Sequence, residues 1–212
     1  MTGQVVIGPD IDSPVVVSAR WIRPFFRRLQ TVHPLCISAG RLQAYRCLVI
    51  GAFPADAWTD GQMQAVVDFV SDGGAVIFLG GDHAFGRGGY ADTPLQPLFP
   101  WVLRADEPEP VLAPLEAGLA PAVTLQGVIP GWADVMRAAH PLLIHSMNRP
   151  GRLRAGAIAL MNAWHDGEQV PVIALQTYGR GRVMGIATDT LWRWRLAGGR
   201  QPHPGPPRGG GS

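Results

Sequence analysis

Asp82, His83 and Asp189 are the side chains with the clearest chemical potential in this 212-residue chain. Asp82 and His83 follow the apolar run Ala75–Leu79, and Asp189 follows the run Arg182–Thr188. If both runs are strands of one parallel sheet, the three groups stand near its carboxyl edge, where open α/β sheets place their sites. Two carboxylates and an imidazole there could share proton transfer, because neighbouring carboxylates push each other's pKa values apart. The plainer reading gives Asp82 the task of tying down a glycine-rich turn and Asp189 that of capping a helix. No HxH or HxxE spacing supports a metal centre, and no cofactor is expected.

A second candidate is the loop that carries Asp82. Gly80, Gly81, Gly86, Gly88 and Gly89 could turn their backbone N–H groups onto an anion, with Arg87 as counter-charge. The loop matches neither a Walker pattern nor GxGxxG. Its glycines also suit a sharp reversal packed on the sheet through Phe85 and Tyr90. Further on, Trp192 and Trp194, interleaved with Arg193 and Arg195, offer a partner-binding surface, since Trp and Arg are enriched at interaction hot spots. Residues two apart on a helix face different ways, however, so one Trp is expected to pack under the sheet edge and the other to be partly exposed. His140 and His145 fall in a weakly patterned stretch and are not carried as site residues.

These residues need a frame, and the periodicity supplies one. Gln4–Gly8 and Cys47–Gly51 read as short buried strands. Thr59 and Gln62 form a capping box ahead of a helix whose buried face is Met63, Val66, Val67 and Val70, and Asp72-Gly73-Gly74 stops it. Ala75–Leu79 is then a fully apolar strand. Strand, helix, strand implies a parallel pair with a right-handed crossover, and continuous apolar strands imply a sheet covered on both faces. Ile22, Phe25, Phe26 and Leu29 make a helical stripe that Pro24 limits to a start near Arg23. From Glu107 to Pro150 prolines are dense, and only short strands near Val111 and Val123 are expected. Order returns as the strands Ala157–Trp164, Pro171–Thr177 and Arg182–Thr188, with turns at His165-Asp166-Gly167 and Gly179-Arg180-Gly181, an antiparallel extension of the sheet. Asp189-Thr190 offers an N-cap for a helix opening at Leu191. Residues 197–212 (AGGRQPHPGPPRGGGS) read as a disordered tail, and the last helix as cut short, as in a fragment.

Composition bounds the alternatives. With 47% hydrophobic and 16% charged residues the chain is built to pack a core, and its length suits one domain. All 18 Lys-plus-Arg residues are Arg, which points to a GC-rich bacterial genome. They are scattered, and the densest group (Arg20, Arg23, Arg27, Arg28) reads as one solvated face rather than a nucleic-acid surface. Cys36 and Cys47 flank a short loop, each leading into apolar residues that read as buried strand, so both are expected to be buried thiols. No run reaches the length of a membrane helix and no signal peptide opens the chain, so a cytoplasmic location is expected.

Strand AVIFL running into GGDHAFGRGGY and TPL, with YGRGRV and TDTLWRW far downstream, resembles the glutamine amidotransferase-like domains of bacteria, within the class I glutamine amidotransferase-like superfamily. The resemblance spans roughly Gln4 to Leu196. It implies a flavodoxin-like three-layer sandwich with a mainly parallel sheet. It also implies a cysteine nucleophile on a tight strand-to-helix turn and a histidine and glutamate from a later strand, because amide hydrolysis needs an activated thiolate beside an oxyanion hole. Both halves of that apparatus are missing here. Leu79-Gly80-Gly81-Asp82-His83 holds no Cys, Ser or Thr, and VMGIATDTL places Asp189 in the histidine position and Leu191 in the glutamate position. Cys47 begins its strand, at the opposite edge. The expectation is a non-catalytic module that binds a small ligand or protein partner through Gly80, Gly81, Asp82, His83, Arg87, Asp189 and Trp192. The alternatives are a hydrolase using Asp82, His83 and Asp189, and a purely structural domain. The resemblance also implies relatives tethered to membranes within larger proteins.

Overall fold

The computed structural model describes residues 3–7, 29–32, 37–51, 53–106, 111–112, 121–123 and 143–190. The described strands form one open sheet of mixed direction. They are β1 (Gly3–Ile7), β2 (Leu29–Val32), β3 (Tyr45–Ile50), β4 (Ala75–Leu79), β6 (Pro121–Val123), β8 (Ile158–His165), β9 (Glu168–Tyr178) and β10 (Gly181–Ile186), arranged β2-β1-β3-β4-β10-β9-β8-β6. Pairing is parallel from β2 through β10 and antiparallel from β10 through β9 and β8 to β6. A separate two-stranded pair joins β5 (Val111–Leu112) to β7 (Met147–Asn148). The register puts Ile7 beside Ile50, Ile50 beside Phe78, and Leu79 beside Ile186, so four strands end together at one carboxyl edge.

The helix after β3 forms as its sequence requires. α2 (Asp60–Ser71) opens with Thr59 Oγ1 accepting from Gln62 N and Gln62 Oε1 accepting from Thr59 N, which satisfies two N-terminal donors. Met63, Val66, Val67 and Val70 are all buried. The two turns of the antiparallel part are equally local in origin: Asp166 (φ 51°) and Gly167 (φ 80°) both adopt positive φ, the geometry of a tight hairpin loop.

Several expectations need correction. β3 starts at Tyr45, two residues before Cys47. After Ile37 the chain forms the short helix α1 (Ala39–Leu42) rather than a strand, its polar residues leaving too short an apolar run. Leu29, expected on a helical stripe, is the first residue of β2; the rest of that stripe, Cys36 and His140 lie outside the described residues. β10 closes the hairpin with β9 but lies parallel to β4, so it belongs to the parallel part as well. The expected final helix, Trp192 and Trp194, and the tail also lie outside the described residues.

The segment after β4 is packed, not loose. Phe85, Tyr90, Leu95, Leu98, Phe99 and Trp101 are at most 2% exposed, and each buried side chain of this size contributes on the order of 2 kcal/mol. Phe99 stacks on Phe78 of β4 with ring centres 4.3 Å apart, and the Trp101 ring lies over Gly185 of β10, where a Cβ would collide with it. Buried Gln176 of β9 donates through Nε2 to the carbonyls of Pro97 (2.9 Å) and Leu98 (2.5 Å), and Arg154 donates to those of Gln96 (3.1 Å) and Phe99 (3.3 Å). One face of β4 and β10 is therefore covered by irregular chain whose carbonyls are tied down by side chains.

Candidate functional site

β4 and β10 are neighbours, so Gly80 and Asp189 leave adjacent strand ends at one edge of the sheet. The backbone ladder continues briefly beyond them, with Gly80 N donating to Ile186 O at 2.7 Å. Asn148 then closes the edge. Its side chain is fully buried; Oδ1 accepts from Gly81 N at 2.8 Å and Nδ2 donates to Gly81 O at 3.1 Å, while its own N–H donates to Ala187 O at 2.7 Å. One residue thus joins the ends of both strands, and both polar groups of the Gly81 peptide are satisfied by one carboxamide.

Gly80 has no space for a side chain. A Cβ there would stand 2.6 Å from the Ala187 carbonyl carbon and 2.8 Å from Asn148 Oδ1, closer than nonbonded carbon approaches. Gly81 has φ +132°, in the region glycine favours. The turn at the end of β4 is shaped around the absence of side chains.

A hydroxyl network continues the closure. Thr188, fully buried, donates through Oγ1 to Ser146 O at 2.6 Å, lies 2.8 Å from Thr190 Oγ1 and accepts from Thr190 N at 3.0 Å. The position next to Asp189 on either side is therefore occupied by threonines that bond to each other and to the strand-end segment.

The sequence-derived site residues divide by exposure. Gly80 is buried and Gly81 half-buried, whereas Asp82, His83, Arg87 and Asp189 are exposed at or beside the same edge. Phe85, with φ 53°, turns its ring inward against Phe99 and Trp101. Tyr90 donates its hydroxyl proton to Phe53 O and accepts from Trp58 Nε1 at 3.0 Å. Four of the loop's donors are used internally: Ala84 N bonds Gly81 O, Gly88 N bonds Ala84 O, Gly89 N bonds Gly86 O and Tyr90 N bonds Phe85 O.

Sequence reasoning missed Asn148, Ser146, Thr188 and Thr190 as the residues that build the edge. Asn148 sits in the proline-dense stretch where periodicity fails. The TDT triplet was the one available signal. Among the described residues no group of three or more His, Cys, Asp or Glu side chains is placed to hold a metal ion. Two surface cavities, of about 420 and 430 Å³, are lined by other residues: one by Leu42, Tyr45, Arg46 and the end of α2, the other beside the β8–β9 hairpin. Cys47 is half-buried, and burial pushes its thiol up from 9.0 to about 11, so it is protonated at neutral pH and not a nucleophile.

No protein-family model and no curated protein matches the chain. Solved structures do. The chain is similar to the Cytoplasmic Protein STM1381 from Salmonella typhimurium LT2, with a TM-score of 0.68 and 15% identity over 94% of this chain and 96% of that one. It is also similar to a ThuA-like protein from Bacteroides uniformis, with a TM-score of 0.61 and 8% identity over 94% and 90% of the two chains. A cold-adapted β-galactosidase from Rahnella sp. R3 matches at a TM-score of 0.60 and 14% identity, over 93% of this chain but 30% of the enzyme. At these identities the likeness is one of fold alone. Among the described residues no helix is long and apolar enough to cross a membrane.

Proposed function

We propose that this chain is a non-catalytic glutamine amidotransferase-like module, a flavodoxin-like three-layer sandwich that binds a small ligand or a protein partner at the carboxyl edge of its sheet. The observation that carries the reading is the Gly80-Gly81 turn. Two glycines, one of them walled in by Ala187 and Asn148, occupy the position where amide hydrolysis needs a nucleophile and an oxyanion hole. What this leaves at the edge is a polar tip of Asp82, His83, Arg87 and Asp189 around a rigid base. Exposed carboxylates and an exposed imidazole offer charge and hydrogen bonds to a partner from solvent, which suits recognition. The match to 30% of a longer enzyme chain fits a module that works as part of a larger assembly, and the Salmonella neighbour described as cytoplasmic fits a cytoplasmic location.

Amide chemical-shift mapping with L-glutamine as the probe tests binding against hydrolysis. The expected result is movement of the Gly81, Asp82, His83, Arg87 and Asp189 resonances with the glutamine left intact. Turnover of glutamine or of p-nitrophenyl acetate that disappears in Asp82→Asn or His83→Gln assigns the site to the hydrolase reading instead.

A further inference from the structure

The β8–β9 hairpin carries a second set of groups that the carboxyl-edge site does not use. Ile186 of β10 pairs with Ile173, so residues 168–172 of β9 run past the end of β10, projecting by about 15 Å at the rise of a strand. Trp164 lies on this projection and is 58% exposed, the one large hydrophobic side chain so exposed among the described residues. It stands directly across from Gln169 and two residues from Asn162, on the same face of the hairpin. Asn162 and Gln169 both line the 430 Å³ cavity, with Arg149, Arg152 and Glu168 also on its wall. Trp164 does not itself line the cavity, but it is the cross-strand neighbour of one lining residue and shares a face with another, so the indole stands beside a cavity of small-molecule size.

The chemistry of the groove is specific. Arg149 is paired with Glu168 at 2.5 Å, which compensates both charges and disfavours a strongly ionic ligand. Asn162 Nδ2 donates to Gln169 Oε1 at 3.4 Å, which leaves Asn162 Oδ1 as an acceptor and Gln169 Nε2 as a donor close together. A neighbouring donor and acceptor match a pair of adjacent hydroxyls, each of which both gives and takes a hydrogen bond. The exposed indole plane matches a ring whose C–H groups form an apolar face. We propose that the Trp164 groove binds a saccharide, with a pyranose ring laid on the indole and its hydroxyls on Asn162, Gln169 and the Arg152 guanidinium. None of Gly80 to Gly89 and not Asp189 lines this groove, so the assignment stands apart from the carboxyl-edge reading.

Saturation-transfer NMR on the full chain, with cellotriose and maltotriose as probes and AMP as a charged, base-stacking comparison, tests it. The expected result is transfer to ring C–H protons of at least one trisaccharide. Trp164→Ala should weaken binding by about tenfold or more, the loss of one ring-stacking contact with its buried area. Asn162→Ala and Gln169→Ala should each weaken it by about fivefold, one hydrogen bond apiece. Trp164→Phe should restore part of the signal, and a circular-dichroism melt should show every variant folded. Absence of transfer to both trisaccharides, transfer unchanged by Trp164→Ala, or binding of AMP alone overturns the proposal. So does a concentration-dependent dimer abolished by Trp164→Ala, which would make the indole a contact between copies.

Discussion

Asn148 does at the carboxyl edge what no backbone group could do there. The ladder between β4 and β10 ends at Gly80 and Ile186, and beyond it Asn148 is the partner of the Gly81 N–H and shares the Gly81 C=O with the Ala84 N–H. A carboxamide can accept from the first through its oxygen and donate to the second through its nitrogen at the same time. Asn148→Ala should therefore cost about 2 kcal/mol in urea unfolding, because the Gly81 N–H loses its partner inside the protein while the Gly81 C=O keeps the Ala84 N–H. Asn148→Asp keeps the acceptor but loses the donor and buries a charge, so it should rescue nothing. Cys47 gives a prediction of opposite character. The folded state holds its proton to higher pH than the unfolded chain does, so its contribution is complete below pH 9.0 and is lost as pH climbs towards about 11. Stability of the wild type should fall relative to Cys47→Ala by about 2 kcal/mol over that window, measured by urea unfolding in a pH series. Iodoacetamide should label the folded thiol at pH 8 about a hundredfold more slowly than in the unfolded chain. At this scale the sequence was partly legible. Asp82, His83 and Asp189 could be placed at strand ends because each follows an apolar run. Asn148 could not, because its role depends on a partner 67 residues away and no local spacing records that.

Elements were legible wherever their signals are local. α2 announces itself by its capping box and by a stripe of four buried residues, and the structure places its start at the residue after Thr59. Thr59→Ala should cost about 1 kcal/mol in unfolding free energy with little change in the folded state, since the cap is exposed and touches nothing else. The β8–β9 and β9–β10 hairpins were likewise readable from Asp-Gly and Gly-Arg-Gly turns between alternating strands. Where elements depend on distant partners, reading failed. Leu29 fits a helical stripe, yet it opens a strand whose register is set by β1, and the residues after Cys36 form a helical turn rather than a strand. β10 shows the same limit in milder form: its hairpin with β9 is local and was expected, whereas its parallel pairing with β4 spans a hundred residues of sequence and came only from the fold.

For the whole molecule, a sheet parallel at one side and antiparallel at the other gathers four strand ends at a single edge, then roofs one face with a packed, irregular segment. The same arrangement recurs in full-length neighbours and as a fraction of a far longer glycosidase, at identities too low to carry any activity across. Function must therefore be argued from the edge itself, where glycine and asparagine close the strand ends. The central claim is that this edge recognises without cleaving, and ammonia release from L-glutamine by the purified chain tests it most directly. The account predicts no release above the buffer rate, in the wild type and in Asp82→Asn and His83→Gln alike. Release by the wild type that vanishes in Asp82→Asn or His83→Gln would contradict it.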